Sequence, residues 1–340
     1  MIVRSFTSNF KRDIPIINWK YTWFLSLLIT FISITGLELF WRGYGYKPSV
    51  IDDKELWSIY RHRVVTTKRR PIVFVGASRM LMGLRTEIFR QHFPENEIIQ
   101  IAIAATAPVA VLKDLANDER FNGIVIVSMI SQFFLKEAFE SQKPWVDYYY
   151  KKSTVNSRMN RLITRWLQER LVVLNPYLNL RRVLGEIVRL KALPPEQYLI
   201  TRGDRSRLGD YTKFDFQKQD EPMMPISTKD IIPPFEWLKH ALIIEDYIKK
   251  ILDRGGEVVL IRFPTSGTVL DKEEENYPKQ KYWDSYASQS SAKMIHYLDV
   301  EGMKDLKCPD GSHLDMIDNI TFTNSLIREL KKYFIEFKYL

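Results

Sequence analysis

A serine hydroxyl becomes a useful nucleophile only when a neighbouring base takes its proton. Two segments far apart in this chain hold the parts. Val73-Phe74-Val75-Gly76-Ala77-Ser78-Arg79 is an apolar run that stops at a small-residue turn carrying a serine. Cys308-Pro309-Asp310-Gly311-Ser312-His313-Leu314 places a carboxylate three residues before a histidine. That spacing lets Asp310 accept the imidazole Nδ1 proton within one turn, leaving Nε2 as the base. Read singly, Ser78 is a small residue in a tight turn, and Asp310 or Ser312 is a helix-start cap. Read jointly, the three offer a nucleophile, its base and a group to orient the base, and the catalytic reading is preferred. His62, His92, His240 and His296 compete as base, but none follows a carboxylate by three residues in a turn that opens a helix. His296 is the best rival because Asp299 lies three residues after it.

Positioning these groups needs a scaffold, and the hydrophobic pattern supplies one. Ile72 to Val75, Ile98 to Ile103, Gly123 to Met129 and Glu257 to Ile261 read as short apolar strands. Their β-branched runs suit parallel strands covered on both faces. Arg85 to His92, Val109 to Ala116, Phe235 to Leu252 and Thr321 to Tyr333 read as helices. Alternation of this kind predicts an α/β domain with βαβ units. Asp271 to Lys281 is acidic, then basic, and reads as an exposed segment. A serine at the carboxyl end of a parallel strand lies where open α/β sheets place their sites. Amides after the turn would face a developing oxyanion.

The remaining organisation concerns location. Residues Tyr21 to Leu37 carry no charge, and extension to Trp41 admits only Glu38. Such a run matches the roughly 20 residues that span a bilayer. Trp19, Tyr21, Trp23, Trp41 and Tyr44 bracket it as interfacial anchors. Arg4, Lys11, Arg12 and Lys20 precede it, so the positive-inside bias sets residues 1–20 in the cytoplasm and the bulk of the chain outside. Residues 42–70 read as a polar connector with one helix. From about 135 to 234 the α/β pattern gives way to an insertion, largely helical in its first part. Trp166, Leu167, Leu171, Val172 and Val173 can form a membrane-surface face or a partner groove. An amphipathic helix packed on its own core is the commoner outcome and is slightly preferred. The net charge of +9 is spread along the chain without zinc-finger or RNA-binding motifs. It fits an anionic membrane or polymer better than nucleic acid. The lone Cys308 permits no intramolecular disulfide and reads as a packing residue.

With these residues in view, the chain resembles the SGNH hydrolases, also called GDSL-like esterases. It looks closest to their membrane-anchored branch, which serves cell-surface polysaccharides and teichoic acids. The resemblance rests on Gly76-Ala77-Ser78-Arg79-Met80-Leu81-Met82-Gly83 and on Asp310-Gly311-Ser312-His313-Leu314 before a final helix. It covers roughly residues 71 to 135 and 235 to 335. It implies an SGNH-like α/β domain over residues 71–335, a three-layer, flavodoxin-like sandwich with a mainly parallel sheet. It also implies an oxyanion hole built from Ser78 and two further blocks. The second block usually offers a glycine amide, and Ala105 stands nearest that position here. The third usually carries an asparagine, whereas this strand ends Ser128-Met129-Ile130-Ser131-Gln132. Ser131 and Gln132 are the candidates left for that donor. Losing one oxyanion donor costs about 10²–10³ in rate.

Two functions follow from these readings. One is a membrane-anchored esterase or O-acyltransferase acting on an extracytoplasmic glycan, with a cell-envelope glycan or acyl donor as partner. By resemblance it would work beside a multi-span membrane O-acyltransferase. The other is a binding or assembly subunit of such a system with a degenerate site. A structural envelope protein is a weaker third. No Gly-rich phosphate loop, metal cluster or dinucleotide motif is seen, so no cofactor is expected.

Overall fold

The computed structural model describes residues 18–190, 193–214 and 231–333. Most of the expected cytoplasmic segment 1–20, and residues 215–230 of the expected insertion, lie outside the described residues.

Seven strands are present among those residues: β1 (Pro71–Val75), β2 (Glu97–Gln100), β3 (Ile124–Ser128), β4 (Leu199–Thr201), β5 (Arg207–Gly209), β6 (Glu257–Arg262) and β7 (Lys293–His296). Five form one sheet in the order β2-β1-β3-β6-β7, and every pairing in it is parallel. The alternation of side chains explains why helices cover both faces. Val73, Val75, Val125, Val127, Val258 and Leu260 point to one side, into a core shared with Trp57, Leu112, Trp237 and Ile248. Ile72, Phe74, Ile124, Ile126, Val259 and Ile261 point to the other, against Phe89, Phe322 and Leu326. A strand with two buried faces reads as a near-continuous apolar run, as β1 does throughout and β3 does up to its last residue, Ser128. The result is the expected α/β three-layer arrangement.

Several boundaries differ from the sequence expectation for local reasons. The second strand ends at Gln100, not Ile103, although the Ile101 and Ile103 amides still donate to Phe74 and Gly76 of the neighbouring chain path. The segment expected as one helix over 235–252 is two, Pro234–Leu242 and Glu245–Leu252. In the insertion, expected to be largely helical in its first part, the helix Val155–Gln168 is followed by a separate short turn at Val172–Leu174. The helix expected inside 42–70 is Lys54–Thr66, started by Asp53, whose carboxylate accepts from the Leu56 amide. It is a core element. Trp57 is fully buried and donates its indole N–H to Ile101. Arg61, also fully buried, pairs with Asp114 and Asp118.

The helix Trp19–Gly43 is the one long apolar helix among the described residues that qualifies by length and composition to cross a membrane. Its 25 residues would extend about 37 Å, against a bilayer core of about 30 Å. Nearly its whole surface is exposed, and Trp41 is its one buried residue.

Candidate active site

The sheet brings the two segments together at the carboxyl end of β1. Ser78 is the first residue of a short helix, Ser78–Gly83, entered through Ala77 in extended conformation. His313 lies 235 residues further on, yet its Nε2 stands 2.8 Å from Ser78 Oγ. Its Nδ1 is 2.8 Å from Asp310 Oδ2. Asp310 also receives three further hydrogen bonds. Oδ1 accepts from the amides of Ser312 (2.9 Å) and His313 (2.7 Å), and Oδ2 accepts from the Tyr211 hydroxyl. Burial disfavours the charged carboxylate. The bonds from His313, Tyr211 and the Ser312 amide outweigh that and hold the carboxyl at about 2. An ionised Asp310 can only accept, so Nδ1 must carry the imidazole proton and Nε2 must be the acceptor facing Ser78. Tyr211 is pushed up in turn, by burial and then by the Asp310 charge.

The turn before the serine depends on glycine. Gly76 sits at φ +159°, and a Cβ there would lie 2.8 Å from Met80 Cβ and 2.9 Å from Ser128 Cβ. Those carbons belong to the nucleophile's own helix and to the adjacent strand, so neither yields cheaply. Gly76→Ala is expected to lower stability by about 1–3 kcal/mol and to displace Ser78. Thermal melting and ester turnover should fall together, and unchanged values for both would refute the tight-turn account.

Arg79, next to the nucleophile, clamps the site from behind. Its Nε is 3.1 Å from Ser312 Oγ, and one terminal nitrogen is 3.0 Å from Glu273. Glu273 also accepts from Arg262 and from Thr265. The segment read from sequence as exposed is largely so, with Glu273 and Tyr277 as its buried exceptions. It forms the helix Gly267–Asn276, and Glu273 is buried in it between two arginines. A buried carboxylate survives because cations partner it. Cys308 behaves as a packing residue. It is buried, its thiol reaches the Pro264 carbonyl, and burial pushes it up to about 12.

The oxyanion candidates separate. Ser78 offers its amide at the start of its helix. Ala105 is exposed and holds φ +59°, in the left-handed region where glycine is normally preferred. A non-glycine residue there costs about 1–3 kcal/mol, and such strain collects at functional turns. The turn is pinned from the insertion side. The fully buried Gln142 donates from Nε2 to the Gly76 carbonyl and to Thr106 Oγ1, both at 3.1 Å. Ser141 Oγ accepts from the Ala107 amide. Ser131 and Gln132 begin a short turn after β3. They line a cavity of about 20 Å³ with Arg262, Glu273 and His296, and Ser78 is not in its wall. That volume holds about one water.

His296 is no base. Its Nδ1 accepts from the Leu298 amide, and burial, followed by Arg262 and Lys279, pushes it down to about 2. It is a neutral cap at physiological pH.

Sequence reasoning missed Tyr211, Gln142 and the Arg79–Glu273–Arg262 cluster. Tyr211 and Gln142 come from the insertion, where no local pattern marks them. The insertion's antiparallel pair β4–β5 leads to the site: the Tyr211 amide donates to the Asp315 carboxylate and the Met316 amide to the Gly209 carbonyl.

Three carboxyls link the structure to acid. Asp118, Asp204 and Asp310 are each held at about 2. Burial opposes ionisation in all three. Arg120 and Arg61 overcome it at Asp118, and Ser206, Thr86 and Arg90 overcome it at Asp204. In the unfolded chain they would titrate near 4. Folded values below unfolded ones mean a contribution fully present above about pH 4 and lost as pH falls toward about 2. Urea midpoints should stay level from about pH 7 to 5 and drop below about pH 4. A level midpoint down to about pH 2.5 would contradict the pairings.

No protein-family model and no curated protein matches the chain. Among solved structures it is similar to TesA, at 10% identity and TM-score 0.38, over 78% of this chain and 100% of that one. It is also similar to the psychrotrophic esterase EstA from Pseudoalteromonas sp., in a structure inhibited by monoethylphosphonate. There the identity is 10% and the TM-score 0.35, over 78% of this chain and 98% of that one. At those values the likeness carries no weight for function, which rests on Ser78, His313 and Asp310 as they stand.

Proposed function

We propose that the chain is a membrane-anchored serine esterase or O-acyltransferase of the SGNH type, acting on an extracytoplasmic glycan or other envelope polymer. The observation that carries this is the unbroken hydrogen-bond path from Ser78 Oγ through His313 to the ionised Asp310. Ser78 Oγ attacks an acyl carbonyl while His313 Nε2 takes its proton. The amides of Ser78 and Ala105 receive the oxyanion. Collapse breaks the bond to the leaving alcohol, which takes the proton from His313, and the acyl group stays on Ser78. Water or a glycan hydroxyl then gives its proton to His313 and attacks the acyl-serine; as the acyl bond to Oγ breaks, His313 returns that proton to Ser78. Asp310 remains ionised and fixes the imidazole tautomer.

A degenerate binding or assembly subunit is the second reading, favoured by the placement of Ser131 and Gln132 in a cavity that Ser78 does not line. A labelled acetyl ester supplied to the full chain with an envelope oligosaccharide separates the two. The enzyme reading expects label on the sugar hydroxyls and none with Ser78→Ala. Label transfer equal in both proteins would leave the assembly reading. The topology has its own check. Protease added to intact spheroplasts should digest the domain and leave a short anchored stub, and full protection would reverse the orientation.

A further inference from the structure

The anchor helix does not end in free linker. Glu38 accepts from the Val172 and Val173 amides, and Arg42 donates to the Arg170 carbonyl. Trp41 and Tyr46 close a small apolar cluster with Val172 and Leu178, and Val183 packs against it. The outer end of Trp19–Gly43 is thus welded to the junction between two helices of the insertion, Val155–Gln168 and Leu180–Leu190.

Both helices carry an uncovered apolar stripe. On the first, Met159, Ile163 and Trp166 recur at helical spacing, and Ile163 is 58% exposed. On the second, Leu180, Leu184 and Val188 do the same, and Val188 is 80% exposed. Contiguous exposed apolar faces mark an interaction surface. Residues 155–190 contain seven arginines against two glutamates. Arg161 and Arg165 turn inward, to Asp53 and to the Tyr60 hydroxyl. Arg170, Arg181, Arg182 and Arg189 are exposed. Arg170 stacks over Trp166 at 4.2 Å and Arg182 over Tyr177 at 4.9 Å. An apolar stripe edged by arginines and interfacial aromatics is the chemistry that lies in a bilayer surface and attracts anionic headgroups.

We propose that Val155–Gln168 and Leu180–Leu190 lie on the surface of the same membrane that Trp19–Gly43 crosses, as a second attachment. The occupant is an anionic lipid bilayer. Its position follows from the bonds that tie the end of the anchor helix to Arg170, Val172 and Val173, between the two striped helices. Two attachments, rather than one flexible tether, then fix the orientation of the sheet and the height of Ser78 above the lipid. The proposal rests on reading Trp19–Gly43 as a membrane span.

The test uses the full chain reconstituted into vesicles containing anionic lipid. Single cysteines at Ile163→Cys and Val188→Cys carry a polarity-sensitive fluorophore, with Ile32→Cys as the span control and Glu95→Cys as the aqueous control. The native Cys308 is buried with its thiol pushed up to about 12, so it stays unlabelled. The probes at 163 and 188 should emit to the blue of the probe at 95 and lose most of their emission when the acyl chains are brominated. Quenching at 32 with water-like, unquenched emission at 163 and 188 would overturn the second attachment and leave the span intact. Blue-shifted but unquenched emission at 163 and 188 would place a protein on this face instead, which also overturns it. No quenching at 32 would remove the span reading and this inference with it.

Discussion

Ser78→Ala and His313→Ala should each reduce ester turnover by roughly 10⁴-fold or more, with the fold unchanged. The size follows from how the three groups act as a unit. Without the hydroxyl no acyl-serine forms. Without the imidazole the hydroxyl keeps its proton, because nothing else described within hydrogen-bond reach of Ser78 Oγ can take it. The double variant should lose no more than either single one, since each already removes the whole step. Steady-state kinetics on an activated acyl ester measures this. Additive losses in the double variant would mean that Ser78 and His313 act independently.

Asp310→Asn is expected to cost roughly 10⁴-fold in kcat while leaving KM near its starting value. An amide can present N–H to His313 Nδ1, which moves the ring proton to Nε2 and aims a donor at Ser78. Tyr211→Phe removes one of the four hydrogen bonds on the same carboxylate. The Ser312 and His313 amides still hold Asp310, so the expected loss is about fivefold, near 1 kcal/mol. The contrast separates the orienting charge from its support. Equal losses in both variants would show that Asp310 acts through packing and not through the tautomer.

The parts of this site that sequence reveals are those written in neighbouring residues. Ser78 closes an apolar strand, and Asp310 and His313 share one turn, so spacing alone proposes their chemistry. The parts that stay hidden are made by the fold. Tyr211 sits 99 residues before Asp310 in an insertion with no repeating pattern. Glu273 belongs to an acidic run, and such runs read as solvated faces. Its burial depends on Arg79 and Arg262 meeting it in space. β7 eluded the sequence pattern because it is a four-residue edge strand with polar residues at both ends. Trp57 and Arg61 lie in a polar-looking stretch whose buried face appears only once the sheet is there to cover it. Ala105 is readable as a stand-in for glycine, whereas its left-handed backbone is seen only in three dimensions.

The central claim is that Ser78 is a nucleophile carrying an acyl group. Incubating the full chain with an activated acyl ester, quenching in acid and mapping the peptides by mass spectrometry tests it most directly. The account predicts one acyl adduct, on Ser78, absent from Ser78→Ala and His313→Ala and reduced in Asp310→Asn. Failure to find any adduct on Ser78 in the wild-type chain, or an adduct of equal yield in His313→Ala, would contradict it.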